Sequence, residues 1–511
     1  MTFRSLLFLN FADRPPEERH TAPDFFGDLE LDRIVATVTA GKEEYNLRPF
    51  FYLPLHDADA VLYRQEVMQD LEGPALSAAI TTFAAGMRTM RGHLAQSEKL
   101  REPRQQERWH LEATVTYCQA VTRLNRELAA ANPASRGLSA FRQYLAGYTA
   151  SEDFQALLAQ TNRLQAGLAA IRYCLLIDGL TVSARPYQDE PDYGAEIEAT
   201  FKRFKHGAVK SYSFEFGEMA EMNHVEARIL NLVVQLYPEL FAELTGFCAA
   251  RKEFQDPTLA TFDRESQFFI AYLEHIAPCR KAGLCFCYPR LVVTDKEVYD
   301  EQCFDLALAA KLIGDHALPV VNDFHLQGEE RIIVVTGPNQ GGKTTFARLF
   351  GQLHYLASLG CPVPGAKAQF FLCDRLFTHF EREEHTATLR GKLQDDLLRI
   401  HAILEAATPR SIVIINEIFA STTFRDALLL SRRIAAKLMQ LDLLAVWVTF
   451  LDEISSLGEK TTSMTSMVDP ENPALRTYKI VRRPADGLAY AMAIADKHRL
   501  TYDLIKERIS V

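Results

Sequence analysis

The chain has 511 residues, 48% of them hydrophobic and 24% charged, which is enough to bury a sizeable core and more than one domain usually holds. A formal net charge of −10 excludes a uniformly basic coat for nucleic acid, although a local basic patch remains compatible with it. No run approaches the roughly 18 apolar residues of a membrane span, and the nine scattered cysteines point to reduced thiols and a cytoplasmic setting.

Residues 1 to 30 read as an irregular lead-in rich in Pro and charge. Its short apolar run lacks a small-residue cleavage site and soon meets Arg14-Pro15-Pro16-Glu17-Glu18-Arg19, so it reads as mature protein. Residues 31–190 form a helical core. Asp57 is placed to cap a helix through Val61, Leu62, Val67 and Met68, and further helices are predicted over 75–97, 108–131 and 152–173. Leu176–Val182 and Tyr212–Phe216 read as short strands around a small insert carrying Lys202, Arg203, Lys205 and Lys210. That insert is either a solvated charged loop or a phosphate-contacting patch. Residues 191–286 continue as helices over about 219–253 and 257–277. Pro238 falls inside the first periodic pattern, so a kink or two pieces is expected there. This pair reads as levers, a strut or core helices. Cys285-Phe-Cys287, with Cys279 and Cys303 nearby, fits no zinc spacing well, and ordinary buried thiols are the reading.

From 287 to 511 strands and helices alternate, the pattern of an α/β nucleotide-binding domain. Gly337-Pro338-Asn339-Gln340-Gly341-Gly342-Lys343-Thr344, followed by Thr345, fits the phosphate-binding P-loop between the β-branched run Ile332–Val335 and a helix. That geometry aims backbone N–H groups and a helix N-terminus at a phosphate. Lys343 is expected to reach the β- and γ-phosphates and Thr344 to offer its hydroxyl to Mg²⁺. The ligand is therefore ATP or a close relative, with Mg²⁺. A second apolar strand, Ser411–Ile415, ends in Asn416-Glu417. Glu417 is expected to polarise the attacking water, with Lys343 as the other catalytic group. Asn416 stands at the metal-shell position, where its carbonyl oxygen accepts without bringing charge. Phe324 is a candidate for stacking on the base, with ordinary packing as the alternative.

Thr336 to Thr345, with its Pro-Asn pair, resembles the P-loop of the MutS mismatch-repair family. Gly360-Cys-Pro-Val363-Pro364, then Asp374–Thr378, is similar to the next segment of that family, and Gly487–Met492 with the closing helix looks like that family's dimerisation helices. The resemblance covers about 200 residues in order, and more weakly the stretch from Asp57 and the helices at 219–277. It implies an α/β P-loop (ABC-type) ATPase domain joined to an all-α core and lever region. It also implies a homodimer with composite ATP sites, acting as an ATP-gated clamp on DNA with no membrane partner. Departures accompany it. The usual Asp-Glu is Asn416-Glu417, the usual Gly-Arg-Gly-Thr loop is Phe419-Ala420-Ser421-Thr422, the partner-facing serine aligns with Gly391, and the histidine after the next strand is Phe450. About 30 residues before the helical core are too few for mismatch-reading and connector domains, so structure-specific rather than mismatch-specific binding is expected. The alternative is an ATP-gated scaffold or switch with weak hydrolysis, acting on a protein or RNA. A P-loop kinase is disfavoured, because no lid or acceptor site is identifiable.

Overall fold

In the computed structural model, residues 3–10, 18–179, 181–189, 222–381, 391–469, 471–472, 475–485, 500 and 505–506 are described. They divide into two compact units, one of residues 1–3, 74–133 and 139–263, the other of 4–73, 134–138 and 264–511. The basic insert at 202–210 and the C-terminal segment 487–499 lie outside the described residues.

The first unit is mainly helical. The long helices Pro74–Lys99 and Pro103–Ala131 pack along each other. Gly86 permits the close approach, since a Cβ there would stand 2.9 Å from that of Ala120. Ser151 caps Glu152–Ala169 by accepting from the Phe154 N–H, and Asn223 with Glu226 forms a full capping box for His224–Leu236. Pro238 opens a new helix, Pro238–Ala250, so the expected kink is a break into two helices. A helix over Arg136–Thr149 has no counterpart in the sequence pattern, where Gly137 reads as a loop residue. The expected strand at 176–182 is a complete hairpin, Tyr173–Asp178 with Thr181–Pro186.

In the second unit residues 5–7 of the lead-in are tied into the core. Leu6 and Leu7 are fully buried, and the Ser5 hydroxyl donates to Glu265. Arg64, also fully buried, donates from Nε to Leu7 O (2.8 Å) and from Nη1 to Leu359 O (3.2 Å). Gly360, at φ 79°, follows Leu359 because a Cβ would collide with that of Arg64.

The unit's main sheet has six strands, in the order Leu376–His379, Ile412–Asn416, Leu444–Val448, Ile332–Thr336, Thr461–Val468, Arg476–Arg482. All neighbours run parallel except the last pair. Ile332–Thr336, Ile412–Asn416 and Leu444–Val448 are buried at every position, as continuous β-branched runs require when a sheet is covered on both faces. Trp447 sits among Val413, Ile415, Ala427 and Ala435 in one such core. A four-stranded sheet pairs Arg290–Val292, Lys367–Phe371, Val298–Cys303 and Asn322–Leu326 in that order. Among the described residues no helix is long and apolar enough to cross a membrane.

Candidate functional site

The parallel strands point their C-terminal ends at one rim, where loops are free to build a ligand site. The loop after Ile332–Thr336 turns through positive φ at Gly337 (114°), Gln340 (61°) and Gly342 (91°), then enters the helix Lys343–Ser358. Its underside is braced by Ser466 on the adjacent strand. Ser466 Oγ donates to Gly341 O (2.6 Å), and a Cβ at Gly341 would collide with that hydroxyl. The glycine is therefore required from below as well as on the ligand side.

Lys343 is 4% exposed, and its Nζ donates to Gly337 O (2.9 Å), Pro338 O (3.2 Å) and Asn339 Oδ1 (3.2 Å). Glu417 Oε1 lies 3.7 Å away. Burial lowers the Lys343 pKa, Glu417 raises it, and the positive charge of Arg476 lowers it further. Thr344 Oγ1 donates to Asn416 Oδ1 over 3.1 Å, bringing the two expected metal-side oxygens together. Such a pair suits a hard cation that keeps most of its waters, with a carboxamide in place of a charged ligand. Glu417 leaves the strand at φ 52° and Phe419 at φ 64°, and the Glu417 N–H donates to Val448 O (3.0 Å). The turn thus holds Glu417 at the P-loop while Phe419 is driven into the core.

A cleft of about 650 Å³ opens beside these groups. Gln340, Gly342, Lys343, Thr344, Thr345 and Glu417 line its polar end, and Leu308, Leu312, Leu318, Pro319 and Val320 its apolar wall. Its size and split polarity fit a triphosphate with a heterocyclic base. Phe324 is not on that wall. The strand Asn322–Leu326 alternates buried and exposed, and Phe324 is an inward position whose ring packs against Phe346, Phe350 and Phe370. The packing alternative therefore describes it. Two aromatics, Phe346 and Tyr478, line the cleft, and Tyr478 is held at φ 57° with its carbonyl accepting from Asn322 Nδ2 (3.3 Å). Sequence reading missed Tyr478, Arg476 and Ser466, because they come from a hairpin over 120 residues after the P-loop with no motif of its own.

The departures also have places. Gly391 is the N-cap of Lys392–Ala406 and offers no side-chain cap. Phe450 follows the strand Leu444–Val448 and is exposed. Asp426, which is kept from the resembled pattern rather than a departure, serves the helix Phe424–Leu441: its N–H donates to Thr423 Oγ1, which donates to its Oδ2 (2.8 Å).

Residues 333–508 match the family model of MutS domain V, a P-loop ATPase domain. The chain is 31% identical over 183 residues to the DNA mismatch repair protein MutS of Lawsonia intracellularis, covering 34% of this chain and 20% of that protein. It is 35% identical over 153 residues to MutS of Zymomonas mobilis subsp. mobilis, covering 29% and 18%. It is 30% identical over 175 residues to the DNA mismatch repair protein MutS 2 of Halobacterium salinarum, covering 34% and 19%. The chain thus spans about a fifth of the length of the curated relatives it matches.

Proposed function

We propose that this chain, whose residues 333–508 belong to the MutS domain V family, is an ATP-binding protein and Mg²⁺-dependent ATPase that works as a dimeric, ATP-gated clamp on DNA. The observation that carries the reading is the convergence of Lys343, the Thr344–Asn416 oxygen pair and Glu417 on one cleft. In this mechanism the P-loop N–H groups and Lys343 hold the β- and γ-phosphates, and Thr344 and Asn416 hold the Mg²⁺ shell. The metal, when bound, neutralises charge on the phosphate oxygens. Glu417 orients and polarises the water in line with the γ-phosphate. Asn416 supplies an oxygen without charge, so turnover is slow relative to binding.

The DNA partner is inferred from the relatives, which are named as DNA mismatch repair proteins. Lys202, Arg203, Lys205 and Lys210 are the proposed phosphate contacts, giving salt-dependent binding with little sequence preference. Homodimerisation with composite ATP sites and a cytoplasmic location complete the proposal. A second reading, an ATP-gated scaffold with weak hydrolysis, is favoured by Asn416, Gly391 and Phe450 standing where hydrolysis and its coupling are set.

Turnover of wild type, Glu417→Gln and Asn416→Asp decides between them. The ATPase reading expects measurable hydrolysis, a fall of about 10²-fold or more in Glu417→Gln, and faster turnover in Asn416→Asp. If wild type binds ATP but hydrolyses it no faster than Glu417→Gln, the scaffold reading replaces it. Filter binding to duplex, forked and junction DNA tests the clamp, which is abandoned if none is retained at low salt.

A further inference from the structure

The hairpin Thr461–Val468 and Arg476–Arg482 does more than close the sheet. From one strand Ser466 seats Gly341. From the other, Arg476 Nε donates to Asn339 O (3.2 Å), while Asn339 Oδ1 accepts from Lys343 Nζ (3.2 Å). One P-loop residue therefore ties two cations together, and the charge of Arg476 is felt at Lys343. The nearby acid Asp305 is engaged elsewhere, accepting from Arg348 Nε (2.8 Å), and Glu417 is the carboxylate within reach of Lys343.

The charge around the loop is thus unusual for a P-loop. The strand end that normally adds a carboxylate carries neutral Asn416, and an arginine is added from the hairpin. A guanidinium binds phosphate oxygens through charge-assisted hydrogen bonds and stays charged at all working pH values. It does so without a metal, and Asn416 leaves one less negative charge for a metal to neutralise.

We infer that Arg476 is a second phosphate-binding cation of this site, acting on the terminal phosphates of the nucleotide, and that it makes triphosphate binding largely independent of Mg²⁺. This rests on the proposal that the cleft binds ATP. The arginine is delivered within the same chain, so it needs no partner subunit. Its selectivity is for charge at the phosphate end, and AMP gains little from it.

The test is equilibrium binding of ATP and AMP to the full chain, with Mg²⁺ and in EDTA, for wild type, Arg476→Gln, Arg476→Lys and Lys343→Ala. Wild-type ATP affinity in EDTA is expected within about threefold of that with Mg²⁺ and well above that for AMP. Arg476→Gln should lose about tenfold for ATP in EDTA, the worth of one charge-assisted contact, and less than about twofold for AMP. Arg476→Lys should keep most of the ATP affinity. Equal losses for ATP and AMP, or no loss, overturn the inference while leaving the nucleotide site standing. So does a wild type whose ATP preference over AMP vanishes in EDTA, a result that needs no variant to fold. If wild type binds no nucleotide, or Lys343→Ala binds as well as wild type, the nucleotide reading itself fails.

Discussion

Asp300 stands out at the level of single residues. It is 1% exposed, and neither carboxylate oxygen has a hydrogen-bond partner among the described residues. Gly365 lies against it so closely that a Cβ would collide with Oδ1. Burial, then the negative charges of Asp323 and Glu301, push its pKa up to about 9. The folded chain therefore keeps a proton that the unfolded chain releases near the ordinary carboxylate range. Between those two values the unfolded state gains stability as pH rises, so this group lowers fold stability progressively up to about pH 9. Asp300→Asn removes the titration. Melting curves from pH 5 to 8.5 should show the variant gaining on wild type as pH rises, by several degrees at the alkaline end. Parallel curves would show that Asp300 is ionised in the fold. Asn416 and Glu417 were legible because a buried strand ends in them, but Asp300 carries no motif, and its isolation depends on strands distant in the chain.

Among the elements, the helix Lys392–Ala406 is joined to the Glu417 turn through Asp396. The Phe419 backbone holds this carboxylate's pKa down against its burial, and His379 Nε2 lies 3.5 Å from its Oδ1. Burial raises the Asp396 pKa, while burial lowers that of His379 to about 4, so the imidazole is neutral at pH 7. The contact fixes a residue at φ 64° just past Glu417, a conformation that a non-glycine residue adopts only when its surroundings hold it. Asp396→Ala should destabilise the fold by about 1–3 kcal/mol, the cost of removing a buried polar side chain from the groups it faces. Asp396→Asn, which still accepts, should recover most of that in urea titrations; equal losses would place the effect in the charge instead. The elements themselves were largely legible. The P-loop strand, the strand ending at Asn416 and the helices at 74–131 are dictated by apolar periodicity. The helix Arg136–Thr149 was not, since a glycine near its start reads as a break; Gly137 is used there because a Cβ would stand 2.9 Å from Tyr63 Oη. The burial of Leu6 and Leu7 was not legible either, because the partners of this stretch, Arg64 and Glu265, lie far along the chain.

For the whole molecule, exposed apolar residues near the Asn416-Glu417 turn bear on whether the proposed site works within one chain. Phe424, which opens the helix after the Glu417 turn, is 56% exposed, and Phe450 after the next strand is 47% exposed. Leu429 is also exposed, as are Leu397 and Leu398 on the helix Lys392–Ala406. Phe424 and Leu429 lie on the helix that follows the Glu417 turn, and Leu397 and Leu398 on the helix that Gly391 opens; exposed large apolar side chains of this kind are enriched at contact surfaces. If two copies meet there, bound nucleotide adds to the interface, and dimerisation is linked to ATP by mass action. Sedimentation velocity on Glu417→Gln, which on the proposed mechanism holds ATP unhydrolysed, should show a concentration-dependent shift from monomer to dimer when ATP is added. The same variant carrying Phe424→Asp should bind ATP with unchanged affinity and stay monomeric, because a carboxylate buried at an interface without a partner costs several kcal/mol. A double variant that still dimerises with ATP would move the interface away from this rim. A Glu417→Gln protein that stays monomeric at every ATP concentration would leave a single chain as the working unit, with Arg476 and the P-loop completing the phosphate site from one subunit.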